Sequence, residues 1–85
     1  MSESQWYLYI IECANGPLYT GVTLNIDRRF CEHESGGAKA AKFLRGKGPF
    51  KLVYQELVGD RSAALKRELE IKSWSRKKKL ALISF

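Results

Sequence analysis

An α+β fold is what this 85-residue sequence predicts, and three observations carry it. Two runs rich in aromatic and β-branched residues are joined by a turn so short that they must pair antiparallel. The order that follows (strand, strand, helix, loop, strand, helix, helix) lacks the strand–helix alternation of a doubly wound sheet. The length allows one domain, near the size at which a single core is only just sufficient.

The first run is "WYLYIIEC" (6–13), with Trp6, Leu8 and Ile10 on one side and Tyr7, Tyr9 and Ile11 on the other. Both sides are apolar, the pattern of a strand covered on both faces. "ANGP" (14–17) supplies Asn15-Gly16, a hairpin signal because both residues tolerate positive φ, and "LYTGVT" (18–23) is the returning strand. Asn25 then caps a helix over 26–34, with Asp27 in its first turn where the helix dipole favours an anion, and Gly36-Gly37 ends it. Residues 38–49 hold Gly46, Gly48 and Pro49 and predict a loop with some helical character. "FKLVYQELV" (50–58) alternates Phe50, Leu52 and Tyr54 against Lys51, Val53 and Gln55, so it predicts a third strand. Asp60 or Ser62 opens a helix within 59–74 whose stripe runs Ala64, Leu65, Glu68, Leu69, Ile71 and Lys72. Ser75 caps a last helix, "RKKKLALISF", docked by Leu80 and Ile83.

An apolar content of 45% with 12% aromatic residues is that of a folded globule and excludes a disordered chain. Nothing approaches the roughly 20 apolar residues of a membrane span. The start "MSESQWYLYIIEC" has no basic residue before its apolar run and no small-residue cleavage site after it, so it does not read as a signal peptide. Cys13 and Cys31 lack metal-ligand spacing; two reduced thiols and a cytoplasmic location are expected.

Fifteen Lys and Arg against nine Asp and Glu give a net charge of +6, and the excess is clustered. Residues 36–51 hold Lys39, Lys42, Arg45, Lys47 and Lys51 without an acid, and "KSWSRKKK" (72–79) holds five more cations. Such blocks suit a polyanion, most commonly nucleic acid; the blander alternative is a solubilising surface.

Three polar residues fall where core is expected. Arg29 and His33 share the stripe of Ile26 and Phe30, and Glu68 lies between Leu65 and Ile71. Unpaired buried charge is costly, so either Arg29 and Glu68 pair with each other, or all three sit at the rim, or they form a site. Beside the tyrosines Tyr7, Tyr9 and Tyr19, a cation, a carboxylate and an imidazole are the parts of phosphodiester chemistry.

These residues carry a family resemblance. "YLY" (7–9) and "YTG" (19–21) resemble the two halves of the GIY-YIG nuclease motif, with Tyr7 and Leu8 replacing the first Gly and Ile and Thr20 replacing the second Ile. Arg29, eight residues beyond Gly21 in an "N-(hydrophobic)-x-x-R" context, matches the family arginine. His33, the stretch "GGAKAAKFLRGKGPFKLVYQE" and the helix "AALKRELEIK" resemble the branch containing structure-specific endonuclease subunits, and Glu68 matches the family's metal-binding glutamate. The resemblance runs from about residue 6 to 84, nearest the small single-domain bacterial members. Departures are Phe43 and Leu44 where relatives carry a tyrosine and a threonine, and Val22 where some carry a lysine.

The resemblance implies a three-stranded antiparallel sheet flanked by helices, and hydrolysis of DNA phosphodiesters with one Mg²⁺ or Mn²⁺ held by Glu68. Arg29 would neutralise the scissile phosphate, and Tyr19 would take a proton from the attacking water with Tyr9 or His33 relaying it. His33, with a reference pKa of about 6.5, is an alternative base, since a free tyrosine titrates near about 10. Gly21 would let backbone pass close to the site, while Lys39, Lys42, Arg45 and Lys47 would grip the DNA backbone. No base-reading module is visible, which implies preference for branched or single-stranded DNA over particular sequences. The competing reading is a module that grips nucleic acid without cutting, or that needs a partner protein to cut.

Overall fold

A computed structural model describes residues 5–37 and 39–84. Its elements are β1 (Trp6–Cys13), β2 (Leu18–Thr23), α1 (Ile26–Ser35), a short 3₁₀ turn (Lys42–Leu44), β3 (Phe50–Gly59), α2 (Arg61–Lys72) and α3 (Arg76–Ile83). Ala38 of the basic stretch and Phe85 of the expected last helix lie outside the described residues. The strands form one antiparallel sheet in the order β2-β1-β3, so the α+β class and the element order are as predicted. No helix among the described residues is long and apolar enough to cross a membrane.

β1 is the centre of the molecule because both of its faces are apolar. Leu8, Ile10 and Ile11 are fully buried and Tyr9 is 2% exposed. On one face, Tyr9, Ile11 and Cys13 pack with Leu44 of the 3₁₀ turn, against Ile26 and Phe30 of α1 and Phe50 and Leu52 of β3. On the other, Leu8 and Ile10 pack with Ile71 of α2, Trp74, and Leu82 and Ile83 of α3.

The helix ends follow the sequence signals. Asn25, Asp60 and Ser75 each accept a hydrogen bond from a backbone N–H in the first turn of the helix they open, which satisfies a donor that would otherwise be orphaned. Of the two caps proposed for α2, Asp60 is the one used, at 2.8 Å from the Ala63 nitrogen.

Four expectations need correction. Only Gly16 of the hairpin takes positive φ (107°), while Asn15 does not. The turn is closed by the Gly16 N–H on the Cys13 carbonyl and the Cys13 N–H on the Pro17 carbonyl, a longer loop than a two-residue reversal. β3 does not alternate regularly: Ile10 faces Tyr54 but Ile11 faces Leu52, so Val53 is an inserted bulge residue. Phe50 and Leu52 therefore reach the α1 side, whereas Val53 and Tyr54 both reach the α2 side. In α2, Leu69 is 70% exposed, and in α3 Leu80 is exposed while Leu82 and Ile83 dock.

Candidate active site

The odd-numbered side chains of β1 and β2 rise on the α1 side, and there the sheet is aromatic. Tyr9 pairs across the ladder with Gly21, and Ile11 pairs with Tyr19. The Tyr9 ring lies over Gly21: a Cβ at that position would fall 2.5 Å from the Tyr9 hydroxyl and 2.7 Å from the ring carbon bearing it. Gly21 is thus the space into which Tyr9 reaches toward the free edge of β2, and any larger residue would displace the ring.

α1 brings His33 onto this surface. Its ring is 1% exposed, with centroids 6.0 Å from Tyr9 and 5.5 Å from Tyr19. Both ring nitrogens are occupied. The Ala41 backbone N–H donates to Nδ1 at 3.2 Å, and Nε2 lies 2.9 Å from the Tyr9 hydroxyl oxygen. A nitrogen that accepts carries no proton, so the one ring proton of neutral imidazole sits on Nε2 and is donated to Tyr9. Burial, seconded by the Arg29 charge, pushes the His33 pKa down to about 4, which keeps this tautomer at neutral pH. Burial, then the neighbouring Tyr19, hold the Tyr9 phenol well above the usual range, with Arg29 opposing.

Arg29 is half-buried on the same helix. One of its terminal nitrogens donates to Glu32 at 3.0 Å and to the Lys39 carbonyl at 2.7 Å, so the basic loop helps to hold it. Burial disfavours its charge, but the Glu32 carboxylate and the Tyr9 hydroxyl outweigh that and set its pKa above the ordinary value. The proposed Arg29–Glu68 pairing is absent. Glu68 instead pairs with Lys72, one helical turn on, at 3.1 Å.

Glu68 belongs to α2, on the other side of the sheet from His33. It nonetheless lies close enough to act electrostatically on the Tyr9 phenol, as Arg29 does from its side. The two layers therefore meet at the free edge of β2. A groove of about 280 Å³ runs along this edge, lined by Leu18, Tyr19, Thr20, Phe43, Lys72 and Lys79. Among the described residues no cluster of three or more His, Cys, Asp or Glu could enclose a metal. A lone carboxylate still fits a hard divalent ion that keeps most of its waters and takes phosphate oxygens, and the flexible Lys72 ammonium can leave Glu68 to make way.

Of the expected site residues, Tyr9, Tyr19, Arg29, His33 and Glu68 gather about this edge, with Gly21 beneath them. Lys42 and Arg45 are exposed on the 3₁₀ turn and just after it, Lys39 contributes its carbonyl to Arg29, and Lys47 sits 3.7 Å from the centre of the Phe43 ring. Sequence reading missed three participants: the Ala41 N–H that fixes the imidazole, Phe43 stacked on Tyr19 with centroids 5.9 Å apart, and Lys72, whose i,i+4 spacing from Glu68 was the available signal. The Thr20 hydroxyl is buried without a hydrogen-bond partner among the described residues, and nothing in the structure explains it.

The model of the GIY-YIG catalytic domain matches residues 5–81. A UPF0213 protein of Photorhabdus laumondii is 49% identical over 98% of this chain and 78% of its own length. A UPF0213 protein of Yersinia pestis is 47% identical over 98% of this chain and 85% of its own. The solution NMR structure of a UPF0213 protein from Bacillus halodurans is 45% identical with a TM-score of 0.60, covering 94% of this chain and 83% of that one. That of a protein from E. faecalis is 32% identical with a TM-score of 0.66, covering 98% and 86%.

Proposed function

The chain belongs to the GIY-YIG nuclease family, and on that premise we propose that it is a metal-dependent endonuclease that hydrolyses DNA phosphodiesters with preference for structure over sequence. What supports this reading is the Tyr9 and Tyr19 pair, with ring centroids 6.3 Å apart, beside Arg29 on the α1 side of the β2 edge, with Glu68 approaching from the α2 side within electrostatic range of the Tyr9 phenol.

Glu68 would hold Mg²⁺ or Mn²⁺, which when bound would stabilise charge on the leaving oxygen. Arg29, already braced by Glu32 and the Lys39 carbonyl, presents a planar cation to the scissile phosphate and stabilises the charge that grows there. Tyr19 would then receive the proton of the attacking water. His33 is not available for that task in this arrangement, since both ring nitrogens are engaged and its pKa is about 4. It acts instead as a positioning residue that fixes the Tyr9 hydroxyl. Lys42, Arg45 and Lys47 would hold the DNA backbone by charge, independent of sequence.

One observation favours a second reading, a module that binds without cutting or needs a partner protein: Arg29 and Glu68 are each already paired, with Glu32 and Lys72. A single assay separates the two. Branched, flapped and single-stranded DNA are incubated with and without Mg²⁺ or Mn²⁺, using the wild type and Glu68→Ala. The nuclease reading expects metal-dependent cleavage that falls by roughly 10³-fold in Glu68→Ala while binding persists. Binding by both proteins with no cutting under either metal supports the second reading. Undiminished cleavage by Glu68→Ala overturns the site assignment.

A further inference from the structure

Phe43 has no part in the chemistry above, yet it is a large apolar side chain left 42% exposed at the mouth of the site. Single exposed hydrophobic residues are common and by themselves mean little. Three observations set this one apart. Its backbone is anchored, because the next residue, Leu44, is 1% exposed and sits in the core beneath the sheet. Its ring lies beside Tyr19 at an interplanar angle of 25° and a centroid distance of 5.9 Å, an offset arrangement that makes one aromatic ledge of the two. And the ledge is ringed by cations: Lys47 stands over the Phe43 ring, while Lys72 and Lys79 line the same groove.

Aromatic faces interleaved with lysines are the footprint of single-stranded nucleic acid, in which bases stack on the rings and phosphates meet the cations. We propose that Phe43, with Tyr19, is a stacking platform for the base of an unpaired nucleotide next to the scissile phosphate, with Lys47, Lys72 and Lys79 receiving the adjoining phosphates. The proposal rests on the nuclease reading and names its substrate class: DNA that offers an unpaired base at the cut.

The physical reason is cost. In a duplex both faces of each base are covered by its neighbours, so a base can reach this ledge only after unstacking, which is unfavourable. A flap, bulge or single strand has already met that cost. Selectivity for structure then arises without any contact to a base edge, and it is tolerant of sequence because every base has a π-face. Lys47 is the movable part, since an ammonium on a flexible stem can leave the ring for a phosphate when a base arrives.

The test uses Glu68→Gln as the parent, so that binding is read without cutting, and a single-stranded oligonucleotide carrying 2-aminopurine alongside the same sequence as a blunt duplex. Expected are tighter binding of the single strand, quenching of 2-aminopurine, and a roughly tenfold loss of single-strand affinity in both Phe43→Ala and Phe43→Leu. Phe43→Trp should keep the affinity. Duplex affinity should be unchanged in all three, and thermal melting of each variant establishes that it is folded. Phe43→Leu binding single strands as tightly as the parent, or losing single strand and duplex alike, overturns the platform. Those results leave the nuclease reading standing. Failure of the parent to bind any DNA would instead remove that reading itself.

Discussion

On the α2 side of the sheet, Leu8 and Ile10 pack with Ile71, Leu82 and Ile83, and Arg67 is fully committed. Arg67 holds Glu56 through two nitrogens at 2.8 and 3.2 Å and Glu70 through a third bond at 3.0 Å. On the α1 side the same strand presents Tyr9 to an imidazole, and Arg29 uses a single nitrogen for both Glu32 and the Lys39 carbonyl. Glu56 is held below the usual carboxylate range, since the bonds from Arg67 and Tyr54 outweigh its burial. On the α2 face the charges of Arg67, Glu56 and Glu70 close on one another. The other leaves a guanidinium, a phenol and, around the edge, a carboxylate with capacity for something else. The difference separates a face whose arginine is fully paired within the protein from one that, on the proposed function, carries the chemistry.

This division makes opposite demands on substitutions. The largest expected effect is on the stabilising face: Ile71→Ala, at a fully buried position, should cost about 2–5 kcal/mol of folding free energy, read by chemical denaturation, with any folded fraction still cutting DNA. Next is the pH dependence set on the opposite face. The folded-state pKa of His33 lies at about 4 against an ordinary value of 6.5. The unfolded chain therefore takes up a proton first as the pH falls, and stability is lost between those two values. Above pH 6.5 this contribution is complete, and it is on the order of 3 kcal/mol. His33→Gln, which can still donate and accept, should flatten the dependence in that window.

Arg29→Lys should lower cleavage by about 10²-fold with folding stability little changed, because an ammonium keeps the charge but not the planar fork. Arg67→Ala should do the reverse at the smallest scale, costing about 1 kcal/mol of stability at a half-exposed pair and leaving cleavage intact. If Arg29→Lys and Arg67→Ala had the same profile, the two faces would not be divided as described.

Much of this was legible in the residues. β1 announced itself because Trp6 through Ile11 are apolar on both sides, which only a central strand requires. The caps were legible because Asn25, Asp60 and Ser75 are residue types that compete with helix and favour its start. The inserted Val53 was not, because valine suits a regular strand as well as a bulge, and the slip is decided by pairing with Ile10 and Ile11. Nor could spacing choose between Leu80 and Leu82. A short helix with apolar residues nearly side by side docks by the angle at which its neighbours hold it.

The site divides the same way. Arg29, His33 and Glu68 stood out as polar residues on apolar stripes. The Tyr9–Gly21 contact needed the register of two strands, the Ala41 N–H that fixes the imidazole carries no side-chain signal at all, and the Phe43 ledge depended on where a 3₁₀ turn would set one ring. Gly21 was expected to serve a close approach of backbone to the site. The neighbour it admits is the Tyr9 side chain.

The nuclease reading requires groups from both sides of the sheet to converge at the β2 edge around one ion and one phosphate. Its most direct test is to add Mn²⁺ to the isotopically labelled protein bound to a single-stranded oligonucleotide and to follow paramagnetic broadening of the amide signals. Broadening should be centred on Glu68 and Tyr19, weaken toward Glu56 on β3, and vanish in Glu68→Ala. Broadening centred on Glu56, or unaltered in Glu68→Ala, would contradict that reading.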